Sequence, residues 1–193
     1  MKREEIIDII ADLYEDYEIS ELGFDLKEFC KKAGILLMPY SSYEEEVSYK
    51  LKCFDEDGFN FVNPESNYNE IYYNDEIKPK ERIKFTVPHE IGHISLGHNL
   101  NIGTSETSKQ KWEADIFANE FYCPQVLIIY FNLMTKSKLI STFSISAGYA
   151  QILLDKIKER KSLEFTSAEK RLLNVFLKNQ KVHLDNKLTR RIE

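Results

Sequence analysis

His89-Glu90-Ile91-Gly92-His93 is the stretch that decides how this chain is read. On a helix, the four-residue step between the histidines turns the side chains by about 400°, so both imidazoles leave one face a turn apart. Two nitrogens held that way can close on one Zn²⁺ at roughly 2.0–2.1 Å each. Glu90 sits about 100° round the helix from His89, beside such a metal rather than pointing at it. That is where a general base for an activated water belongs. The chain has only 4 histidines, and this pattern takes two of them. A hydrolytic zinc site still needs a third protein ligand.

Outward from the motif, the apolar period from Lys80 is helical, with Ile83, Val87, Ile91, Ile94 and Leu96 able to face a core. Pro88 lacks a backbone donor and crowds the preceding turn, which predicts a kink there or a helix that restarts near Thr86. Gly97, Asn99 and Gly103 mark the exit, and 99–109 reads as a polar surface loop. A second helix, over about 106–122, stops before Pro124 and supplies Glu113, Asp115 and Glu120 as candidates for the third ligand. Glu113 and Glu120 share a face but stand roughly 10.5 Å apart along the axis, so only one can reach the metal. Spacing does not choose between them. Ala114 and Ala118 would let this helix approach the histidine helix closely.

Upstream, helical spacing over 3–18 and 24–33 predicts two helices, the second ended by Gly34. Ile35-Leu36-Leu37-Met38-Pro39 reads as a strand. The stretch 47–54 alternates apolar and polar residues, Asp57-Gly58 signals a hairpin before 59–62, and 69–74 is a further strand. Downstream, helices are expected over 125–133 and 146–160, with another opened by Thr166-Ser167-Ala168-Glu169 as a capping box. The fold class is therefore α+β: a small, mostly antiparallel sheet of three or four strands packed with helices, and a helical C-terminal part. One domain over 1–160 is expected, with 161–193 as its basic helical extension.

A hydrophobic fraction of 42% with 30% charged residues suits a globular chain able to bury a core. No apolar run reaches the length of a membrane span, and the start of the chain is amphipathic, unlike a signal peptide. Cys30, Cys53 and Cys123 are widely spaced and odd in number, as expected of small core residues in a reducing cytoplasm. A net charge of −6 argues against direct nucleic-acid binding by the body of the chain. Basic residues gather after Lys156, among them Lys161, Arg171, Lys178, Lys187, Arg190 and Arg191, and read first as the solvated face of terminal helices.

The run Phe85-Thr86-Val87-Pro88-His89-Glu90-Ile91-Gly92-His93-Ile94-Ser95-Leu96-Gly97-His98, followed by Glu113-Ala114-Asp115-Ile116-Phe117-Ala118 and Pro124, resembles the ImmA/IrrE family of zinc metallopeptidases. That family's pattern reads approximately RFTLAHELGHLLLGH, then EAN-x-FA, then LLMP. Asp25–Ile35 and Phe143-Ser144-Ile145-Ser146-Ala147 are similar to flanking family segments, so the resemblance spans roughly 25–155. Asp115 stands for the common Asn, Pro88 for a small helix former, and Phe121-Tyr122-Cys123-Pro124 for LLMP. The resemblance implies a zincin-like core around the HExxH helix, Zn²⁺ as cofactor, His89, His93 and Glu113 as metal ligands, and Glu90 as the catalytic base. It also implies a protein substrate: a helix-turn-helix repressor cut by a short, stand-alone member of the family, so that mobile-element or stress genes are transcribed.

Plainer readings stand beside these. His98 lies about 180° from His89 on a continuous helix and reads as a helix C-terminal residue stabilised by the macrodipole. Asp115 is read equally as a partner orienting a ligand imidazole and as a solvent-side or capping residue. Trp112, Tyr122 and Tyr149 read as packing residues, and His183 as solvated. Two other function classes remain: a catalytically silent, zinc-containing protein that binds a transcriptional regulator, and a nucleic-acid-associated regulator acting through the basic tail.

Overall fold

The first helix, Arg3–Asp16 (α1), buries Ile6, Ile7, Ile10, Ala11 and Tyr14 along one stripe, as its spacing predicts. The computed structural model describes residues 1–98, 106–160 and 164–189. Asp25 caps the next helix, Leu26–Lys32 (α2), its carboxylate accepting from the backbone N–H groups of Lys27 and Glu28. Gly34, at φ +68°, supplies the left-handed residue that ends it. The chain then enters strand Ile35–Pro39 (β1).

The stretch expected as a strand over 47–54 is instead helix Glu45–Phe54 (α3). Its alternation is misleading because Val47, Tyr49 and Phe54 are exposed and only Ser48 is buried. Charge placement favours the helix. Glu45 and Glu46 lie in the first turn, Lys52 in the last, and Lys50 pairs with Glu46 one turn earlier. Consequently Asp57-Gly58 is not a hairpin tip but the link from α3 into strand Gly58–Val62 (β2), with Asp55 Oδ1 accepting from both backbone N–H groups. A Cβ on Gly58 would sit 2.6 Å from the Tyr72 carbonyl oxygen, so the strand start requires glycine.

Strand Asn69–Tyr73 (β3) lies in the middle, giving the order β1-β3-β2. The sheet is mixed: β1 runs parallel to β3, with Ile35 opposite Asn69, and β2 antiparallel, with Gly58 opposite Tyr73. One sheet face carries Phe59 stacked on Tyr72. The other carries Asn60, which reaches helix Ile83–Ser95 (α4). Four-residue helical charge spacing thus removed one expected strand, and the hairpin partner of β2 proved to be β3.

The remaining elements are helices: Ser108–Tyr122 (α5), Gln125–Tyr130 (α6), Lys136–Phe143 (α7), Ala147–Lys158 (α8) and Ser167–Thr189 (α9). Sequence patterning had not marked α7. The capping box expected at α9 is present, with Glu169 N–H donating to Thr166 Oγ1 and Thr166 N–H to Glu169 Oε2. Tyr14, Phe24, Phe29 and Phe121 meet edge to face at the centre of the core. The basic residues of α9 are not simply solvated: Arg171 pairs with Asp8 and Asp12, and Lys178 with Glu15, all on α1. Lys161, Arg190 and Arg191 lie outside the described residues. Cys30 and Cys123 are buried as expected, whereas Cys53 is exposed. No helix among the described residues is long and apolar enough to cross a membrane.

Candidate metal centre

Helix α4 runs unbroken through Pro88, without the restart expected near Thr86. It is buried from Thr86 to His93, wedged between the sheet and α5. Ala114 and Ala118 are fully buried at the α5 contact, and the Phe117 ring packs over Gly92. A Cβ on Gly92 would stand 3.0–3.1 Å from that ring. The small residues therefore bring α5 close enough for its side chains to meet the histidines.

The two ring nitrogens that face each other are Nε2 of His89 and Nε2 of His93, 3.1 Å apart. Glu106, just ahead of the Thr107 cap of α5, brings its Oε2 to 3.0 Å from His93 Nε2 and 3.8 Å from His89 Nε2. These three ligand atoms lie within 4.8 Å of one another. Glu106 Oε2 is buried and has no hydrogen-bond partner. Its other oxygen accepts from Lys111 Nζ at 3.1 Å.

Each imidazole is held from behind. Oδ1 of Asp115 stands 3.0 Å from His89 Nδ1, an ion-pair contact off the line of an ideal hydrogen bond. Nδ1 of His93 lies 3.0 Å from Nδ1 of His98, whose Nε2 donates to Glu113 Oε2 at 3.0 Å. His98 reaches this position because α4 does not continue. Leu96 caps it, Gly97 turns left-handed at φ +68°, and the N–H of His98 donates to the His93 carbonyl at 2.9 Å while that of Gly97 donates to Ile94. This is a Schellman ending, and it folds His98 back over the last turn. The 180° separation expected on a continuous helix does not apply. The other exit signals, Asn99 and Gly103, lie outside the described residues.

The proton arrangement follows from these partners. Nδ1 of His89 faces Asp115 and Nδ1 of His93 faces His98, so protons on the two Nδ1 atoms would leave both Nε2 atoms as lone pairs. In that arrangement two lone pairs and a buried carboxylate oxygen converge. A nitrogen–nitrogen–oxygen set of that kind fits a divalent cation such as Zn²⁺.

Burial and neighbouring charges shift the two imidazoles in opposite directions and raise the buried acid. Burial, and then the neighbouring His89, push the pKa of His93 down to about 4. For His89, burial favours the neutral ring, but contact with Asp115 and the charges of Glu90 and Glu106 outweigh it and hold its pKa above the ordinary value. Burial pushes the Glu90 carboxyl up to about 7, while Asn60 Nδ2 donates to its Oε2 at 2.9 Å.

The structure thus gathers His89 and His93 with Glu106 and leaves Glu113 outside that cluster. Glu113 is buried on the Nδ1 side of His93, engaged by His98 and by the α-amino group of Met1. Glu120 belongs to a different site: it accepts from Arg3 at 2.7 Å and from the N–H of Gln125. Tyr122 donates to the Phe143 carbonyl in the core, and Tyr149 to Asn119 Oδ1 at 3.1 Å. Trp112, expected to pack, is about half exposed at 49%. His183 pairs with Glu21 at 3.4 Å. Sequence reading did not bring Glu106 to this cluster. Its one signal was its place immediately before the capping box Thr107-Ser108-Lys109-Gln110, which fixes a helix start next to the histidines.

Residues 30–154 match the family model of the IrrE N-terminal-like domain, the M78 peptidases. No curated protein and no solved structure matches the chain. The family match covers the sheet, the HExxH helix and α5, the elements that build the centre, and the chain belongs to the ImmA/IrrE metallopeptidase family.

Proposed function

We propose that this chain is a zinc-dependent endopeptidase in which His89, His93 and Glu106 hold the metal and Glu90 is the general base. The convergence of the two Nε2 atoms and the buried Glu106 oxygen carries this reading. When bound, the metal would polarise a peptide carbonyl and acidify a water. Glu90, held by Asn60 beside the ligands, is the residue that would accept a proton from the attacking water and hand it to the leaving amine. Strand β2 is an edge of the sheet, and its Asn60 already touches Glu90, so an extended peptide pairing with β2 would run past the metal ligands. Asp115 and the His98–Glu113 pair orient the two ligand rings from behind.

The resemblance instead gives the third position to Glu113. For that, its carboxylate would have to leave His98 and cross from the Nδ1 side of His93 to the Nε2 side. Glu106 needs no such movement.

For the substrate, the family resemblance supports a helix-turn-helix repressor whose cleavage releases mobile-element or stress genes. Neutralisation of the Arg171 and Lys178 charges by α1 favours a protein substrate over DNA held by the basic tail. The test is coexpression with the product of any neighbouring repressor gene, for the parent and for Glu90→Gln. Cleavage by the parent alone, with zinc retained in both proteins, is the expected outcome. An intact repressor with both proteins, together with unimpaired derepression by Glu90→Gln, would show a catalytically silent regulator-binding protein instead.

A further inference from the structure

A cavity of about 480 Å³ opens beside His89 and shares two residues with its surroundings. Asp115, which backs the His89 ring, lines it, and so does Phe85, whose ring centroid lies 5.9 Å from that of His89. Tyr149 closes the inner wall, meeting Phe85 edge-on at 5.7 Å. Helix α8 contributes Gly148, Ile152 and Lys156, four residues apart and so on one face.

The polar groups of the inner wall are already engaged, while the charged side chains of Glu81 and Lys156 stand exposed at the rim. Tyr149 donates to Asn119 Oδ1, Asn119 donates to the Asp115 carbonyl, the Asp115 carboxylate faces His89, and Arg82 at the rim pairs with Asp57 at 2.6 Å. What the cavity still offers is apolar: the rings of Phe85 and Tyr149, the edge of Pro79, and Ile152, which is 53% exposed with nothing covering it. A charged group reaching past the rim would exchange water for an inner wall whose polar groups are bonded elsewhere. A large apolar occupant would cover the rings and Ile152 together. The volume falls in the range of sites that enclose a ligand group rather than a solvent dimple.

We infer that this cavity receives a large apolar side chain, aromatic or leucine-like, from the substrate residue adjoining the bond that is cut. The inference rests on the peptidase reading above, because that reading places a peptide backbone beside His89. Side chains of glycine or alanine size leave the rings wet and gain little. Phe85, Tyr149 and Ile152 are then the specificity-determining residues.

The test uses the zinc-loaded protein titrated with peptide hydroxamates whose chelating end anchors at the metal. They differ only in the adjoining side chain: hydrogen, methyl, isobutyl, benzyl or carboxymethyl. The isobutyl and benzyl compounds should bind about tenfold or more tightly than the hydrogen compound, and the carboxymethyl compound no more tightly than it. Gly148→Phe should fill the cavity, since a Cβ there meets nothing nearer than Ser146 Oγ at 3.9 Å. It should erase the benzyl advantage while leaving the hydrogen compound unchanged. Ile152→Asp, at an exposed position, should reduce the same advantage without filling space. Equal affinities across the series, or an undiminished benzyl advantage in both variants, would overturn the inference. Binding by no member would remove the metal site and the cavity's role together. Because binding is read without turnover, a preserved ranking with no peptide cleaved would count against the peptidase reading alone.

Discussion

Nδ1 of His93 and Nδ1 of His98 stand 3.0 Å apart, so the residue just beyond the end of α4 backs a candidate metal ligand inside it. Asp115 does the same for His89 from the neighbouring helix. A proton held on Nδ1 by each contact would leave Nε2 free for a metal, so both residues would act through the rings rather than on the metal itself. His98→Ala and Asp115→Ala should therefore each weaken zinc binding about 10–100-fold without abolishing it. Competition with a fluorescent zinc chelator measures this, with His183→Ala as a control that should bind like the parent. Parental affinity in both variants would remove the orienting role.

Gly92 lies between the two ligand histidines and against the Phe117 ring. Gly92→Ala gains about 1 kcal/mol of helix propensity but overpacks the α4–α5 contact at a cost of about 1–3 kcal/mol. The net should be destabilising, and shortening the ring by Phe117→Leu in the same protein should recover part of the loss. Urea denaturation midpoints provide the check. A Gly92→Ala protein more stable than the parent would show that the helices have room to spare.

Glu169 is fully buried between Arg3 and Arg160, accepting from them at 2.8 and 2.7 Å. Burial alone would raise its pKa, but the hydrogen bonds from Arg160 and Arg3 prevail and bring it down from 4.5 to about 2. The folded protein then binds fewer protons here than the unfolded chain. Its contribution is complete above the unfolded value of 4.5 and is lost as the pH falls through about 2. Glu169→Gln should cost about 3–5 kcal/mol near neutral pH, by removing the buried carboxylate charge that Arg3 and Arg160 both bond. The gap between parent and variant should narrow from pH 4.5 towards pH 2. A gap independent of pH would assign the loss to packing.

The metal motif was legible because helical spacing is a local property: His89, Glu90 and His93 sit where four residues per turn put them. The sheet was legible only in part. Alternation at Val47, Tyr49, Leu51 and Cys53 imitates a strand, while the Glu46–Lys50 pair that holds α3 is a weak local signal. His98 was misplaced because its position depends on a helix stopping at Leu96, and Gly97 says where a helix ends but not where the next side chain lands. Glu106 could not be chosen over Glu113 from spacing, since the choice depends on how α5 enters its first turn beside α4. That is a tertiary relationship, fixed by Ala114, Ala118 and Gly92 rather than by the carboxylates themselves.

The identity of the third ligand is the most direct test of the centre. Zinc dissociation constants for Glu106→Gln and Glu113→Gln, measured at one pH against the parent, separate the two carboxylates. Losing Glu106 should remove a ligand and abolish stoichiometric zinc. Losing Glu113 should loosen the His98–His93 pair and weaken zinc only about 10–100-fold. Stoichiometric, tight zinc in Glu106→Gln with none in Glu113→Gln would contradict the account and return the third position to Glu113.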